Sequence, residues 1–366
     1  MKFMDLIVEQ TDRRAGREYQ HLEDFVYTQG GSPGARQAVE ILRRLNKNTS
    51  TVAVKFDGHP NIYWGRDSNG KFQLTPKSGW GKMLFSTAQE VGDWFVSKSP
   101  DDEWRHAYGQ VLADAWNILE QNTPEDFTGF LYGDLLWYPT KPPRNISGQM
   151  KFGPGKVQYS VDTSTALGGI IRNSKLGVAV HQQYARYGDT DGKLITGTAE
   201  LNTNEVVALG QIPVVITPKL DERSLNQIDN LIDEYATDMN GFLTIRKGMS
   251  DIAAIVYRYV NYRSKTQQLE NLASGFLPWL KTSSVSAGKQ SKILDLMNLY
   301  PDAILGIFTI FTAVMTMKNQ LINQLDSSPK PIDSQVNGQP GGEGYIDQQS
   351  KAKLVPRHRW RPVWDE

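Results

Sequence analysis

Apolar positions change their spacing several times along this chain. Between 35 and 45, Val39, Ile41, Leu42 and Leu45 fall on one side of a 3.6-residue repeat, which predicts an amphipathic helix. From 52 onward the apolar runs shorten to strand length. They predict strands at 52–55, 61–65 and 71–75, with a turn at 67–70 between the last two. Residues 86–122 are expected to be helical, with Trp94, Trp104 and Trp116 on the buried side. Strand character returns at 127–133, ending at Asp134, and continues at 157–161, 176–180 and 214–217. Closely spaced strands with hairpin-type turns argue for antiparallel sheets over a doubly wound parallel one.

A helical period takes over between 221 and 325, most plainly at 225–235, 252–262, 269–277 and 303–325. Its longest apolar run, the 15 residues 303–317, is shorter than a bilayer span needs, and a buried helix is expected there. Residues 326–342 are rich in Pro, Ser and Gly and read as a linker. Beyond it β character resumes, with strands at 345–346 and 353–355 around a polar turn at 347–350.

Composition narrows the picture by exclusion. Of 366 residues, 40 are Lys or Arg and 40 Asp or Glu, so any basic surface must be local. The absence of cysteine excludes a disulfide scaffold, thiolate zinc sites and a cysteine nucleophile. His21, His59, His106, His181 and His358 show no metal-ligand spacing. Met1 to Leu6 lacks the apolar core of a secretory signal, and the chain is expected to be soluble and cytoplasmic, in the host cytoplasm if viral. Arg357-His-Arg-Trp-Arg361 interleaves cations with an aromatic ring, as in a single-strand nucleic-acid contact or a basic tail. Gly153-Pro-Gly-Lys156 lacks the first glycine and the Ser/Thr of a phosphate-binding loop.

Two stretches carry candidate chemistry. Val52-Ala-Val-Lys55-Phe-Asp57-Gly58 ends an apolar run in a lysine, with glycine for a sharp turn three residues on. A lysine amine becomes a nucleophile when desolvation or neighbouring cations depress its pKa, and a strand end facing a cleft can supply both. The alternative is an edge strand with a solvated lysine. In the second stretch, Glu343-Gly-Tyr-Ile346 is followed by Lys351-Ala-Lys353-Leu-Val355. Lysines two apart on a strand share one face, where two ammonium groups suit a phosphate and a nearby carboxylate suits magnesium. A solvated edge strand defended by lysines fits the same pattern.

Taken together, these motifs resemble those of the covalent nucleotidyltransferases, the superfamily of ATP-dependent DNA and RNA ligases and mRNA capping enzymes. Lys55-Phe-Asp57-Gly58 is similar to motif I, Tyr132-Gly133-Asp134 to motif III, Glu343-Gly344-Tyr345-Ile346 to motif IV and Lys351-Ala-Lys353 to motif V. Thr75-Pro-Lys77-Ser-Gly79 sits where those enzymes carry a basic residue, a small residue and glycine. His21-Leu-Glu-Asp24 and His59-Pro60 add a likeness to RNA-ligase-like proteins of large tailed phages. The resemblance implies an α+β nucleotidyltransferase fold of antiparallel sheets with an inserted all-helical domain. Its core would span 1–217 and 343–366, the insertion 218–325 and the linker 326–342.

The resemblance also implies residue roles. Lys55 would attack the α-phosphate of ATP, and Lys351 and Lys353 would offset charge on that phosphate. Asp57 and Gly58 would complete the nucleotide site, and Lys77 would touch a phosphate or the acceptor end. Asp134 and Glu343 would hold the ribose or a magnesium ion, and Tyr159 would stack on the base. The partner would be nucleic-acid ends or nicks, RNA ahead of DNA, with the helical block binding a protein or nucleic acid. The sequence departs from the pattern at His59-Pro60, where an arginine is usual after motif I, and at Asp134, where glutamate is usual. The eleven residues after Val355 leave no room for an OB-fold, which points to the RNA-ligase-like branch. A GTP-using RNA guanylyltransferase and a non-catalytic nucleic-acid-binding or virion-associated protein are the alternatives.

Overall fold

Prolines, caps and side-chain alternation account for most elements of the computed structural model, which describes residues 19–195, 201–336, 339–340 and 344–357. Its first strands are β1 (Gln20–His21), β2 (Val52–Val54), β3 (Asn61–Arg66), β4 (Phe72–Pro76), β5 (Gly129–Trp137), β6 (Arg144–Ile146), β7 (Gln149–Phe152) and β8 (Val157–Asp162). The remainder are β9 (Leu176–Tyr184), β10 (Lys193–Leu194), β11 (Val206–Leu209), β12 (Asp333–Val336), β13 (Gln339–Pro340), β14 (Tyr345–Asp347) and β15 (Ala352–Leu354). With the helices between them they make a mixed α+β protein, as expected. The chain divides into two compact units, one built from 54–212 and 329–343, the other from 19–53, 213–328 and the residues from 344 on.

In the first unit one sheet has the order β10-β9-β5-β3-β4, with β11 parallel to β9. Antiparallel pairing of β3 with β4, and of β5 with β3 and β9, follows the hairpin expectation. Alternation sends Ile62, Trp64, Leu74, Leu131, Leu135 and Val180 to one face, where Val91, Phe95, Leu112 and Trp116 cover them. Each large apolar side chain buried there contributes roughly 1.5–3 kcal/mol. The larger of the unit's two apolar clusters therefore lies on this face, opposite a smaller aromatic one. That opposite face groups Tyr63, Phe130 and Tyr184 with Trp80, Tyr132 and Tyr187.

The covering helices are Ala88–Lys98 and Glu103–Asn122, not the single helical stretch expected over 86–122. Pro100 forces the break, because it disfavours helical backbone in the residue before it, and Ser99 is extended at φ −166°. Asp102 then starts the second helix by accepting the Trp104 N–H. Trp116 is buried as expected, but Trp104 is 45% exposed.

A second sheet of this unit has the order β13-β12-β8-β7-β6. It corrects the expected linker at 326–342: Asp333–Val336 pairs antiparallel with β8, Val336 opposite Val157 and Asp333 opposite Ser160.

The second unit holds the sheet β1-β15-β14-β2 and most of the helices. The helical block does not stand apart as an insertion. It shares this unit with the helix Ser32–Lys47, whose Arg43 donates to Asn226 and Asp229 and whose Ser32 N–H donates to Asn240. The strand expected at 214–217 is absent. Pro213 and Pro218 bracket it, and its backbone groups turn to the Thr49 hydroxyl, which donates to the Val214 carbonyl at 2.7 Å and accepts from the Ile216 N–H at 2.8 Å.

Among the described residues, Ala303–Asp326 is the one helix long and apolar enough to cross a membrane. Ile307, Phe311, Val314 and Leu321 of that helix are fully buried in the unit.

Candidate functional site

Asp134 lies two residues beyond Tyr132 on the aromatic face of the first unit's large sheet. It does not end its strand as expected, because Leu135-Leu136-Trp137 carry β5 three residues further. Its side chain is 8% exposed, yet its Oδ2 accepts from His181 Nε2 at 3.2 Å and its Oδ1 accepts from the Asn61 amide directly across on β3. Burial pushes the carboxyl up. The charge and hydrogen bond of His181, the Asn61 amide and the Lys55 ammonium outweigh it and hold Asp134 below the ordinary carboxylate range.

Lys55 follows β2 directly and is near enough for its charge to be felt at Asp134. Gly58 makes the approach possible: a Cβ there would meet the Leu135 carbonyl at 2.4 Å and the Asp134 Cβ at 3.0 Å. Glycine is thus required by close packing of two motif segments, where the sequence suggested a turn. The His59 N–H donates to the Leu135 carbonyl at 2.9 Å, and the Leu135 N–H to the Pro60 carbonyl at 2.9 Å, clasping the segment to β5.

Tyr159 is not available to stack on a base. It is 1% exposed, packed between Phe56 and Phe152, and its hydroxyl accepts the Asp57 N–H at 2.7 Å. Its work is to brace Lys55-Phe-Asp57 from β8. The partly buried aromatic next to Asp134 is Tyr132, whose phenol is pushed well above its ordinary value by burial and by the Asp134 charge. Lys77, exposed on the 3-10 turn Lys77–Gly79 after β4, places its Nζ 5.8 Å from the Tyr132 ring centre. The structure therefore brings Lys55, Asp57, Gly58, Lys77 and Asp134 into one unit.

Lys351 and Lys353 belong to the second unit, and they do not share a strand face. Only Lys353 lies on β15, opposite Ile346. Lys351 is exposed in the turn, at φ +55° in the left-handed region that non-glycine residues seldom adopt. Gly344 opens β14 at φ +128°, where a Cβ would meet the Leu354 carbonyl at 2.5 Å. Glu343 lies outside the described residues.

Nor is Arg357 a nucleic-acid contact: it is 5% exposed and bonded to Glu23 and Asp24, while 358–361 lie outside the described residues. Sequence reasoning missed His181 and Asn61. His181 ends an apolar run, Val178-Ala-Val180, just as Lys55 ends Val52-Ala-Val54, and that parallel was the available signal.

No group of three or more His, Asp or Glu among the described residues could hold a metal ion. Both Asp134 oxygens already accept from protein donors, so this carboxylate fits charge pairing with Lys55 better than magnesium ligation.

The chain belongs to the family of unknown function DUF6267, which matches residues 18–361. No curated protein and no solved structure matches it.

Proposed function

We propose that this protein is an ATP-dependent polynucleotide ligase, acting on RNA ends through a covalent lysyl–AMP at Lys55. The observation that carries the reading is the close packing of the Lys55-Phe-Asp57-Gly58 segment against Asp134, which only glycine at 58 permits, with the Lys55 charge felt at that carboxylate. The order of the other motifs supports it, and so does the exposed Lys77 beside a partly buried Tyr132. Tyr132 takes the base-stacking role in place of Tyr159.

Lys55 reacts as the neutral amine after losing a proton to solvent. Its nitrogen forms a bond to the α-phosphorus while the bond from that phosphorus to the bridging oxygen breaks, and pyrophosphate leaves with the electron pair. Asp134 orients the amine. In sealing, the nucleotide passes to a 5′-phosphate, and a 3′-hydroxyl then displaces AMP. Magnesium would enter with the nucleotide, held mainly by its phosphates.

The test is incubation with magnesium and α-labelled ATP or GTP, followed by denaturation. Label from ATP that survives denaturation in the wild type and is lost in Lys55→Ala is expected. Label from GTP alone would make the protein a guanylyltransferase. No label from either, with binding to nucleic-acid ends unchanged in Lys55→Ala, would make it a non-catalytic binding protein.

A further inference from the structure

We propose that His181 is a positioning residue that fixes the Asp134 carboxylate against Lys55, and that an extra residue in β9 serves to place it there. This deepens the ligase reading and rests on it. The geometry begins with register. Tyr132 pairs with Gln182 but Gly133 pairs with Val180, so His181 has no partner across the ladder. Strict alternation would put Val180 and Tyr184, four apart, on the same face. Instead Val180 packs under the helices and Tyr184 packs with Tyr63 and Phe130 on the other side. One inserted residue accounts for the switch, and such bulges re-aim side chains next to active sites.

The switch separates two tasks. Gln182 takes the place opposite Tyr132 and accepts from the Tyr184 hydroxyl at 2.6 Å, keeping the aromatic face intact. His181 is left to reach Asp134 at 3.2 Å, with its ring centre 5.5 Å from that of Tyr132. Asp134 is then held by donors from two strands, Asn61 on β3 and His181 on β9, with the Lys55 charge beyond β2 felt at the same carboxylate. Asn61 and His181 each occupy a different oxygen, so the carboxylate plane is fixed by the first two before Lys55 is considered. His181 remains 24% exposed, unlike a group kept only to fill a core.

The experiment compares wild type, His181→Ala, His181→Gln and Asp134→Asn by two readouts. The first is the single-turnover rate and nucleotide KM of lysyl–AMP formation. The second, which needs no nucleotide, is the reactivity of Lys55 toward trace acetic anhydride, read by peptide mass spectrometry. His181→Ala is expected to slow lysyl–AMP formation at least about tenfold, because small misplacements of a nucleophile are costly. KM should stay within about twofold, since His181 holds the nucleophile's partner and not the nucleotide. Lys55 acylation should shift in the same direction as in Asp134→Asn. His181→Gln, whose amide keeps a donor near the Nε2 position, should restore most of both. Wild-type Lys55 reactivity in His181→Ala, alongside altered reactivity in Asp134→Asn, would overturn the proposal. If the wild type takes no label from any nucleotide, the ligase reading fails, while the acylation comparison still decides whether His181 acts on Lys55 through Asp134.

Discussion

The two units each bury carboxylates, and they handle them in opposite ways. In the second unit Lys318 Nζ donates to both Glu23 oxygens at 2.7 Å and to the Val355 carbonyl at 2.8 Å. Arg357 Nε donates to Glu23 at 2.7 Å, while its Nη2 and the Tyr27 hydroxyl donate to Asp24. Two acids face two bases, and all four are 5% exposed or less. The Asp134 cluster in the first unit sits at a rim instead, with His181 24% exposed. A sealed, balanced cluster has no room for a ligand; its energy goes into tying β1, β15 and the helix Ala303–Asp326 together. The Asp134 carboxylate is itself buried, but one of its two donors, His181, reaches solvent.

The comparison breaks first, and hardest, at Glu23. Glu23→Ala leaves Lys318 and Arg357 buried with only Asp24 between them. Removing one partner of a buried ion cluster costs about 3–5 kcal/mol, because the charge left behind is uncompensated. Urea denaturation should show a loss of that order. A loss below about 1 kcal/mol would mean that the cluster is hydrated and is not sealed as described.

Acid sharpens the comparison through its sign. Asp134 is held below its ordinary value, so its contribution is full above the unfolded carboxylate value, near 4, and is lost as pH falls through the folded value. The second cluster carries both signs. For Glu23, burial is outweighed by Lys318 and Arg357, so its carboxyl is lowered and its contribution is also lost on acidification. For Asp24, burial and the neighbouring Glu23 prevail over Arg357, so its carboxyl is raised. A raised carboxyl favours folding below its unfolded value, and that contribution fades as pH rises through the folded one. Asp134→Asn should therefore flatten the acid limb of stability below about pH 4. It should cost about 1–3 kcal/mol at pH 7, through donors left without their acceptor. An acid limb unchanged in Asp134→Asn would show that His181 and Asn61 do not hold the carboxylate as described.

Legibility in the sequence followed the range of the interactions involved. Helical periods from 221 to 325 are local: 225–235, 252–262 and 303–325 fall inside helices, and 269–277 overlaps one from Leu272 on. Their membership of a unit with Ser32–Lys47 depends on pairs such as Arg43–Asp229, 186 positions apart, which no window contains. The strand of Lys55 was legible because its apolar run and glycine are adjacent. The reach of Asp134 into mid-strand was not, because its partners come from β3 and β9. The strand Asp333–Val336 looked like a linker because only Val336 of its four residues is buried, the pattern of a polar strand recognised only by its neighbour. Tyr159 could have packed in a core or met a ligand, and only Phe56 and Phe152 decide it.

The smallest expected effect lies at Lys351, and it separates structural from functional use of one residue. Its φ of +55° costs an L-residue about 1–2 kcal/mol, a strain glycine does not feel. Glycine's extra freedom in the unfolded chain offsets roughly 0.5–1 kcal/mol of that. Lys351→Gly should thus leave the second unit as stable as before or up to about 1.5 kcal/mol more stable. A lysine kept only to close a turn would lose nothing by the change. If Lys351 offsets charge on the reacting phosphate, the same variant should form lysyl–AMP more slowly while melting no earlier. A variant that gains stability and labels at the wild-type rate would limit Lys351 to closing its turn.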